Sequence, residues 1–261
     1  MSMHNGIALL TGASSGIGAV YATRMAERGY DLILVARRLD RLERLANTLR
    51  TAYGRTVHTV QADLADDLDL ARVDHLLRET PQVQALINCA GLGALGPTQA
   101  VEAATIERML KVNVNALTQL SLTAGRRFAA ARDGLIINIG SVVALLPAPT
   151  AGSYSGSKAY VLNFTRALQA ELAPSNVRVQ LVMPGPVRTE FFGDTPAPFP
   201  DHLFMTPETL VDAALRALDQ QEWVCFPSLH DLSAWQNQEA ARINLIKALS
   251  HSGEPAARYL V

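Results

Sequence analysis

Cysteine is scarce: Cys89 and Cys225 are the two in 261 residues, they lie far apart, and they form no C-x-x-C pair. They read as buried or partly buried thiols in a reducing compartment. The six histidines (His4, His58, His75, His202, His230 and His251) show no H-x-x-H or H-x-x-x-H spacing, so a zinc site has no support. Aromatic residues make up 6%, and 23 basic residues nearly cancel 24 acidic ones, for a net charge of −1. That balance removes the electrostatic reason to expect nucleic acid or an anionic membrane as partner. "MSMHNGIALLTGA" has no basic stretch ahead of a signal core. The longest apolar tract, "LIINIGSVVALLP", is interrupted by Asn138, Gly140 and Ser141 and is too short to span a bilayer. The expectation is a cytoplasmic protein.

What is present is the profile of a globular α/β chain, 49% hydrophobic and 18% charged, with length enough for one domain and a sizeable core. Short apolar runs alternate with helical patterns. "GIALLTG" reads as a strand, then a helix from about Gly16 to Arg28, the strand "DLILVA" and a charged helix from Leu39 to Leu49. The strand "TVHTVQAD", a helix around Ala71 to Leu77 and the strand "VQALINCA" follow. A long helix over Thr105 to about Arg132, "GLIINIGS", a helix from about Ser153 to Leu172 and "VRVQLVMPG" complete the pattern. This alternation predicts a doubly wound, Rossmann-like parallel sheet with helices on both faces, ligands binding beyond the carboxyl ends of its strands. No linker-like boundary interrupts residues 1–261, so a single domain is expected. The Pro- and Phe-rich stretch at about 190–206 reads as a substrate loop or lid. Thr206-Pro207-Glu208 then opens a helix to about Leu218, "EWVCFP" is a last strand, and Ser233 to Leu249 a last helix.

Two glycine runs compete for the role of phosphate cradle. "GLGALG" (Gly91–Gly96) spells G-x-G-x-x-G, but Pro97 follows at once and the next N-cap is Thr98 or Thr105. "TGASSGIG" (Thr11–Gly18) has a strand before it and a helix after it, the context a pyrophosphate needs. The first run is therefore the cradle, a tight strand–helix turn being the plain alternative. "GLGALG" becomes a loop after the fourth strand.

The T-G-x-x-x-G-x-G form of "TGASSGIG" resembles the glycine motif of the short-chain dehydrogenase/reductase family. "INCAGLG", "KVNVNAL", "IINIGSVVALLPAP", "YSGSKA" and "MPGPVRTEF" follow in that family's order, over Gly6 to Phe191. Cys89 stands where the family often has Asn. The resemblance implies that Gly12, Ser14, Ser15, Gly16, Ile17 and Gly18 hold the cofactor's phosphates. It implies that Asp63 and Leu64 take the adenine, and that Asn88, Ala90 and Gly91 line a ribose. Pro184 and Gly185 would turn over the nicotinamide, Val187 and Thr189 touching carboxamide and phosphate.

Tyr154 and Lys158 lie four apart on a predicted helix and share a face. A nearby ammonium lowers a phenol's pKa from about 10 toward the working range. Ser141 ends the preceding strand. The resemblance assigns Tyr154 as proton donor or acceptor, Lys158 as the group that lowers its pKa and binds the nicotinamide ribose, and Ser141 as the carbonyl's anchor. Asn113, with Asn115 as second candidate, would hold a relay water. Strand "DLILVA" ends in Arg37 and Arg38 with no acid before Asp40, which favours NADP(H) over NAD(H). A solvated basic pair is the plain alternative.

The substrate would be a carbonyl compound (ketone, aldehyde or 3-oxoacyl) or a secondary alcohol. Val142 to Pro149, Leu92 to Leu95 and Phe191 to Met205 would wall it with apolar side chains such as Leu145, Leu146, Phe191, Phe192, Phe199 and Phe204. Those side chains could equally seal the core. The helices from Thr105 and around Tyr154 resemble the ones that pair subunits in the family, implying a homodimer or homotetramer. The rival from another class is a non-catalytic NAD(P)-sensing protein of the same fold. A methyltransferase lacks its acid here, and an epimerase its C-terminal region and glycine spacing.

Overall fold

The strand sequences IALLT, DLILVA, VQALIN, GLIINI and VRVQLV put apolar side chains on both faces, as strands covered by helices on either side require. The computed structural model describes residues 6–193, 199–249 and 253–260, apart from the side chains of Thr98 and Phe192. In it β1 (Ile7–Thr11), β2 (Asp31–Ala36), β3 (Val57–Gln61), β4 (Val83–Asn88), β5 (Gly134–Ile139), β6 (Val177–Val182) and β7 (Val224–Cys225) form a seven-stranded sheet in the order β3-β2-β1-β4-β5-β6-β7. Every pairing is parallel. Alternate residues feed two cores. Leu10, Leu34, Ile87 and Ile137 face one way, and Leu9, Val35, Leu86 and Ile136 the other. Each such side chain contributes about 1.5–3 kcal/mol on burial.

The first core is covered by α1 (Gly16–Glu27), α2 (Leu39–Tyr53) and α7 (Pro207–Asp219). The second is covered by α3 (Asp67–Glu79), α5 (Leu117–Ala131) and α6 (Gly152–Leu172). α3 starts earlier than its apolar pattern suggests, because the Asp66 carboxylate accepts the N–H groups of Leu68 and Asp69. Thr206 caps α7 as expected, accepting from Thr209 N–H, with Pro207 in the first turn.

The helix expected over Thr105 to Arg132 is instead three pieces. α4 (Ala103–Leu110) passes into a π-helical turn at Lys111–Ala116 and then into α5. Neither Thr98 nor Thr105 is its N-cap. Thr98 lies within a short 3₁₀ turn that follows Pro97, and Glu102 precedes α4.

Strand order reverses between β1 and β4, which opens a crevice at their carboxyl ends. The 190–206 stretch contains short turns at Glu190–Phe192 and Asp201–Leu203. Its ends are joined by Arg188 N–H to Met205 O (2.9 Å) and Met205 N–H to Pro186 O (3.0 Å). Its residues 194–198 and the Phe192 side chain lie outside the described residues.

Contacts divide the chain into two compact units, Met1–Pro227, which holds the whole sheet, and Ser228–Val261. In the second, α8 (Ser233–Leu249) covers the residues expected, and Asp231 accepts Ser233 N–H at 2.9 Å just before its start. Among the described residues no helix is long and apolar enough to cross a membrane.

Candidate active site

At the crevice the first glycine run has the geometry of a phosphate cradle. Ser15 is the N-cap of α1 but its side chain accepts no bond from the helix, in contrast to Asp66 and Thr206. The first-turn N–H groups of α1 thus lack a side-chain partner, the arrangement that suits a pyrophosphate. A Cβ at Gly18 would run into the carbonyl oxygen of Gly12, so the turn folds back closer than any other residue permits. Thr11, the first letter of the run, was not among the expected site residues. Its hydroxyl accepts the N–H groups of Cys89 and Ala90 (3.1 Å each) and so ties the exit of β4 to the cradle. With Arg38 bonded to the hydroxyls of Ser14 and Ser15, these groups fit a phosphorylated dinucleotide such as NADP(H).

The second run leads into no helix and acts as a joint. Leu92 N–H and O are both held by the Asn113 amide (2.9 Å each), and Gly96 N–H bonds to Thr150 O (2.6 Å). A Cβ at Gly93 would lie 3.0 Å from Cζ of Phe191, so glycine there lets that ring lie over the loop.

Asn88 was expected to line a ribose. Its side chain is 3% exposed and turned inward, donating to Asn138 Oδ1 (2.9 Å) and Ser121 Oγ (3.0 Å). Asn138 in turn donates to Thr165 Oγ1 at 3.0 Å. Buried polar groups on adjacent strands must satisfy one another. Ala90 and Gly91 remain partly or fully exposed after it.

Tyr154, Lys158 and Ser141 come together as expected. Ser141 lies close enough to Tyr154 to act on its phenol, and its own hydroxyl donates to Pro184 O at 3.4 Å. Lys158 is buried, donates to Ile139 O at 2.9 Å, and holds its ammonium 5.8 Å from the Tyr154 ring centroid. Burial pushes the Tyr154 phenol up to about 12, against a smaller opposing effect of Ser141. Burial likewise pulls Lys158 down to about 8. Both shifts follow from enclosing charge in low dielectric.

Asn113 is buried on the π turn and Asn115 is exposed. The Asn113 amide, however, bonds to Leu92 and to Ser157 Oγ (3.2 Å), whose hydroxyl donates to Tyr154 O (2.7 Å). It braces α6 against the β4 loop.

On the cofactor side, Arg37 is exposed at the end of β2, and Arg38 extends over the cradle. Asp63 follows β3. Burial opposes its charge, but hydrogen bonds from Ala65 N–H and Arg108 hold its carboxyl below the usual range. Arg108 is a partner that no local motif signalled. Leu64 is buried. Pro184 O accepts Val142 N–H at 3.0 Å and Ser141 Oγ at 3.4 Å, Gly185 is half-buried beside it, and Thr189 lies with its methyl against Gly16. The Val187 side chain is in the first core and takes part in the bridge to Met205. Glu190 and Arg41 were missed altogether. The Glu190 carboxylate joins Arg38 and Arg41 at 2.6 Å each. The available signal was the position of Arg41 one turn after Arg38, and that of Glu190 directly after Thr189.

Comparison with known proteins places this geometry. Residues 6–198 match the family model for short chain dehydrogenase. A short-chain dehydrogenase from Sphingobium yanoikuyae, solved in complex with NADPH, is 41% identical with a TM-score of 0.92, covering 97% of this chain and 100% of that one. The bulky-bulky ketone specific alcohol dehydrogenase from Comamonas testosteroni, in its orthorhombic crystal, is 39% identical with a TM-score of 0.91, covering 99% and 100%. Human 17-beta-hydroxysteroid dehydrogenase type 3 is 33% identical over 184 residues, which span 70% of this chain and 59% of the human protein.

Proposed function

The chain belongs to the short-chain dehydrogenase family and is an NAD(P)-dependent oxidoreductase, and we propose that it uses NADP(H) to reduce a bulky, apolar carbonyl compound to its alcohol, with Tyr154 as the acid. The observation that carries this is buried Lys158, one turn on from Tyr154 on α6, with its ammonium 5.8 Å from the Tyr154 ring centroid. NADPH held by the first glycine run and Arg38 would supply the hydride that reduces the carbonyl carbon. Tyr154, held protonated by burial, gives its proton to the carbonyl oxygen, and Ser141 donates a hydrogen bond that orients that oxygen. As the proton leaves, the Lys158 ammonium stabilises the phenolate. Oxidation runs the same steps backward.

Arg38 at the cradle, with no acid between β2 and Asp40, supports NADP(H) over NAD(H). Exposed Leu145 and Leu146, with Phe191 against Tyr154 (5.4 Å between ring centroids), support an apolar substrate. The Comamonas relative is named for bulky ketones, which agrees. We read the 190–206 stretch as the substrate lid and the outer faces of α5 and α6 as the site of self-association. The free thiols of Cys89 and Cys225 support a reducing, cytoplasmic compartment.

Tyr154→Phe tests the mechanism: kcat should fall by about 10²–10⁴-fold while NADPH affinity holds. A near-normal rate would sink the assignment. Purified protein that binds NADPH but oxidises none of it against aldehydes, 3-oxoacyl thioesters and bulky ketones would favour a sensing role instead.

A further inference from the structure

Arg38 has its guanidinium donors distributed over an unusual set of partners. Nε and Nη2 reach Ser14 Oγ (3.2 and 3.1 Å), Nη2 reaches Ser15 Oγ (2.7 Å), and Nη1 reaches Glu190 Oε2 (2.6 Å). Arg41, on the first turn of α2, gives its Nη1 to the other Glu190 oxygen at 2.6 Å. One anion therefore sits between two guanidiniums beside two serine hydroxyls, a donor set that matches a phosphate monoester better than a single carboxylate. The chain supplies that anion from β6's outgoing loop, 152 positions from Arg38.

We propose that Glu190 is an internal stand-in for the cofactor's 2′-phosphate, displaced when NADP(H) binds, and that its release frees the segment that seats Phe191 against Tyr154. The proposal rests on the NADP(H) reading above. The 2′-phosphate carries more negative charge than a carboxylate and three acceptor oxygens, so it competes well for the same two guanidiniums. Like charges cannot share the site. The bridge itself is displaceable, because the side chains of Arg38 and Glu190 are 37% and 54% exposed, where ion pairs are weak.

Three consecutive residues then connect recognition to chemistry. Thr189 lies against Gly16 of the cradle and accepts Phe191 N–H at 3.3 Å. Glu190 holds the arginines. Phe191 packs its ring on Tyr154 at 5.4 Å with a 50° tilt. NADH, which lacks the 2′-phosphate, offers nothing to remove Glu190 from the arginines and would leave the aromatic wall as it stands. Glu190 is thereby a specificity-determining residue for the cofactor and a positioning residue for the substrate wall.

The test compares dissociation constants and backbone hydrogen exchange, with NADPH, NADH, 2′-AMP and 5′-AMP as probes. In Glu190→Gln, NADPH and 2′-AMP should bind about fivefold tighter and NADH should change by less than about twofold, the scale of two exposed ion pairs removed. In the unaltered protein, 2′-AMP should speed amide exchange across residues 188–193 and 5′-AMP should not. In Glu190→Gln exchange there should be fast from the start. The exchange arm needs no variant, so poor folding of Glu190→Gln cannot hide the answer. NADPH affinity that is unchanged or weakened in Glu190→Gln, or exchange indifferent to 2′-AMP, overturns the proposal while the cofactor reading stands. Unaltered protein that binds NADH as tightly as NADPH overturns the cofactor reading, and the proposal with it.

Discussion

Lys158 holds its ammonium against a backbone carbonyl in a buried position, and burial pulls it from 10.5 to about 8. Between those values the unfolded chain binds a proton that the folded chain has released, so this group's contribution to stability rises with pH across that window. Catalysis runs the other way. The cation that steadies the Tyr154 phenolate is present below about 8 and lost above it. For reduction, kcat/KM for NADPH, which reports groups of the free protein, should be level at neutral pH and fall through about 8. A profile flat through that pH would remove the Lys158 charge from the mechanism. Gly18 makes a different prediction. Gly18→Ala forces a methyl onto the Gly12 carbonyl, which is backbone and cannot swing aside. It should cost about 1–3 kcal/mol in chemical denaturation and weaken NADPH binding as well, since the cradle must open. Tyr154 and Lys158 were read from their spacing as sharing a helix face, and both lie on α6 with the Lys158 ammonium 5.8 Å from the Tyr154 ring centroid. The inward bonds of Asn88 were not legible, because nothing local shows that Ser121 and Asn138 wait for its amide.

At the scale of elements, apolar period placed the strands and most helices to within a few residues, since burial on both sheet faces leaves a strong pattern. The π turn was invisible. "KVNVNA" alternates Val and Asn and fits a regular helix on paper. The wider turn buries Asn113 and exposes Asn115, and such turns often sit where a side chain must be aimed. Its cause is tertiary: Asn113 meets Leu92 and Ser157, from two other segments. Helix ends were more legible where a cap was local. Thr206 accepts Thr209 N–H at 3.1 Å and starts α7, which is tied to α1 by Arg24–Asp212 and Arg28–Asp219 (2.6 Å each). Thr206→Ala should lower stability by about 1 kcal/mol, read as a lower urea midpoint at unchanged slope, and Thr206→Ser should restore it. An unchanged midpoint in the alanine variant would mean that the contacts with α1 hold α7 without the cap.

For the whole molecule, the doubly wound order put the cradle, Tyr154 and the β6 loop at one sheet edge, and that convergence follows from topology once the strands are known. What topology does not reveal is which distant charges meet there, as Glu190 and Arg38 do. Nor does it reveal which outer faces meet a second chain. Leu122 on α5 and Tyr160 on α6 are 41% and 40% exposed, and Tyr160 OH pairs with Thr118 Oγ1 at 3.0 Å across the two helices. Large apolar side chains side by side on adjacent helices support the reading of this face as the subunit contact. A charge placed in the middle of such a contact is buried without a partner, which a modest interface does not tolerate. Leu122→Asp should therefore turn an oligomer into a monomer by light scattering at micromolar concentration, with the monomer's far-ultraviolet circular dichroism unchanged, because Leu122 lies on the outer face and not in either core. If the unaltered protein is already monomeric, or if Leu122→Asp leaves its assembly intact, the pairing runs through some other surface.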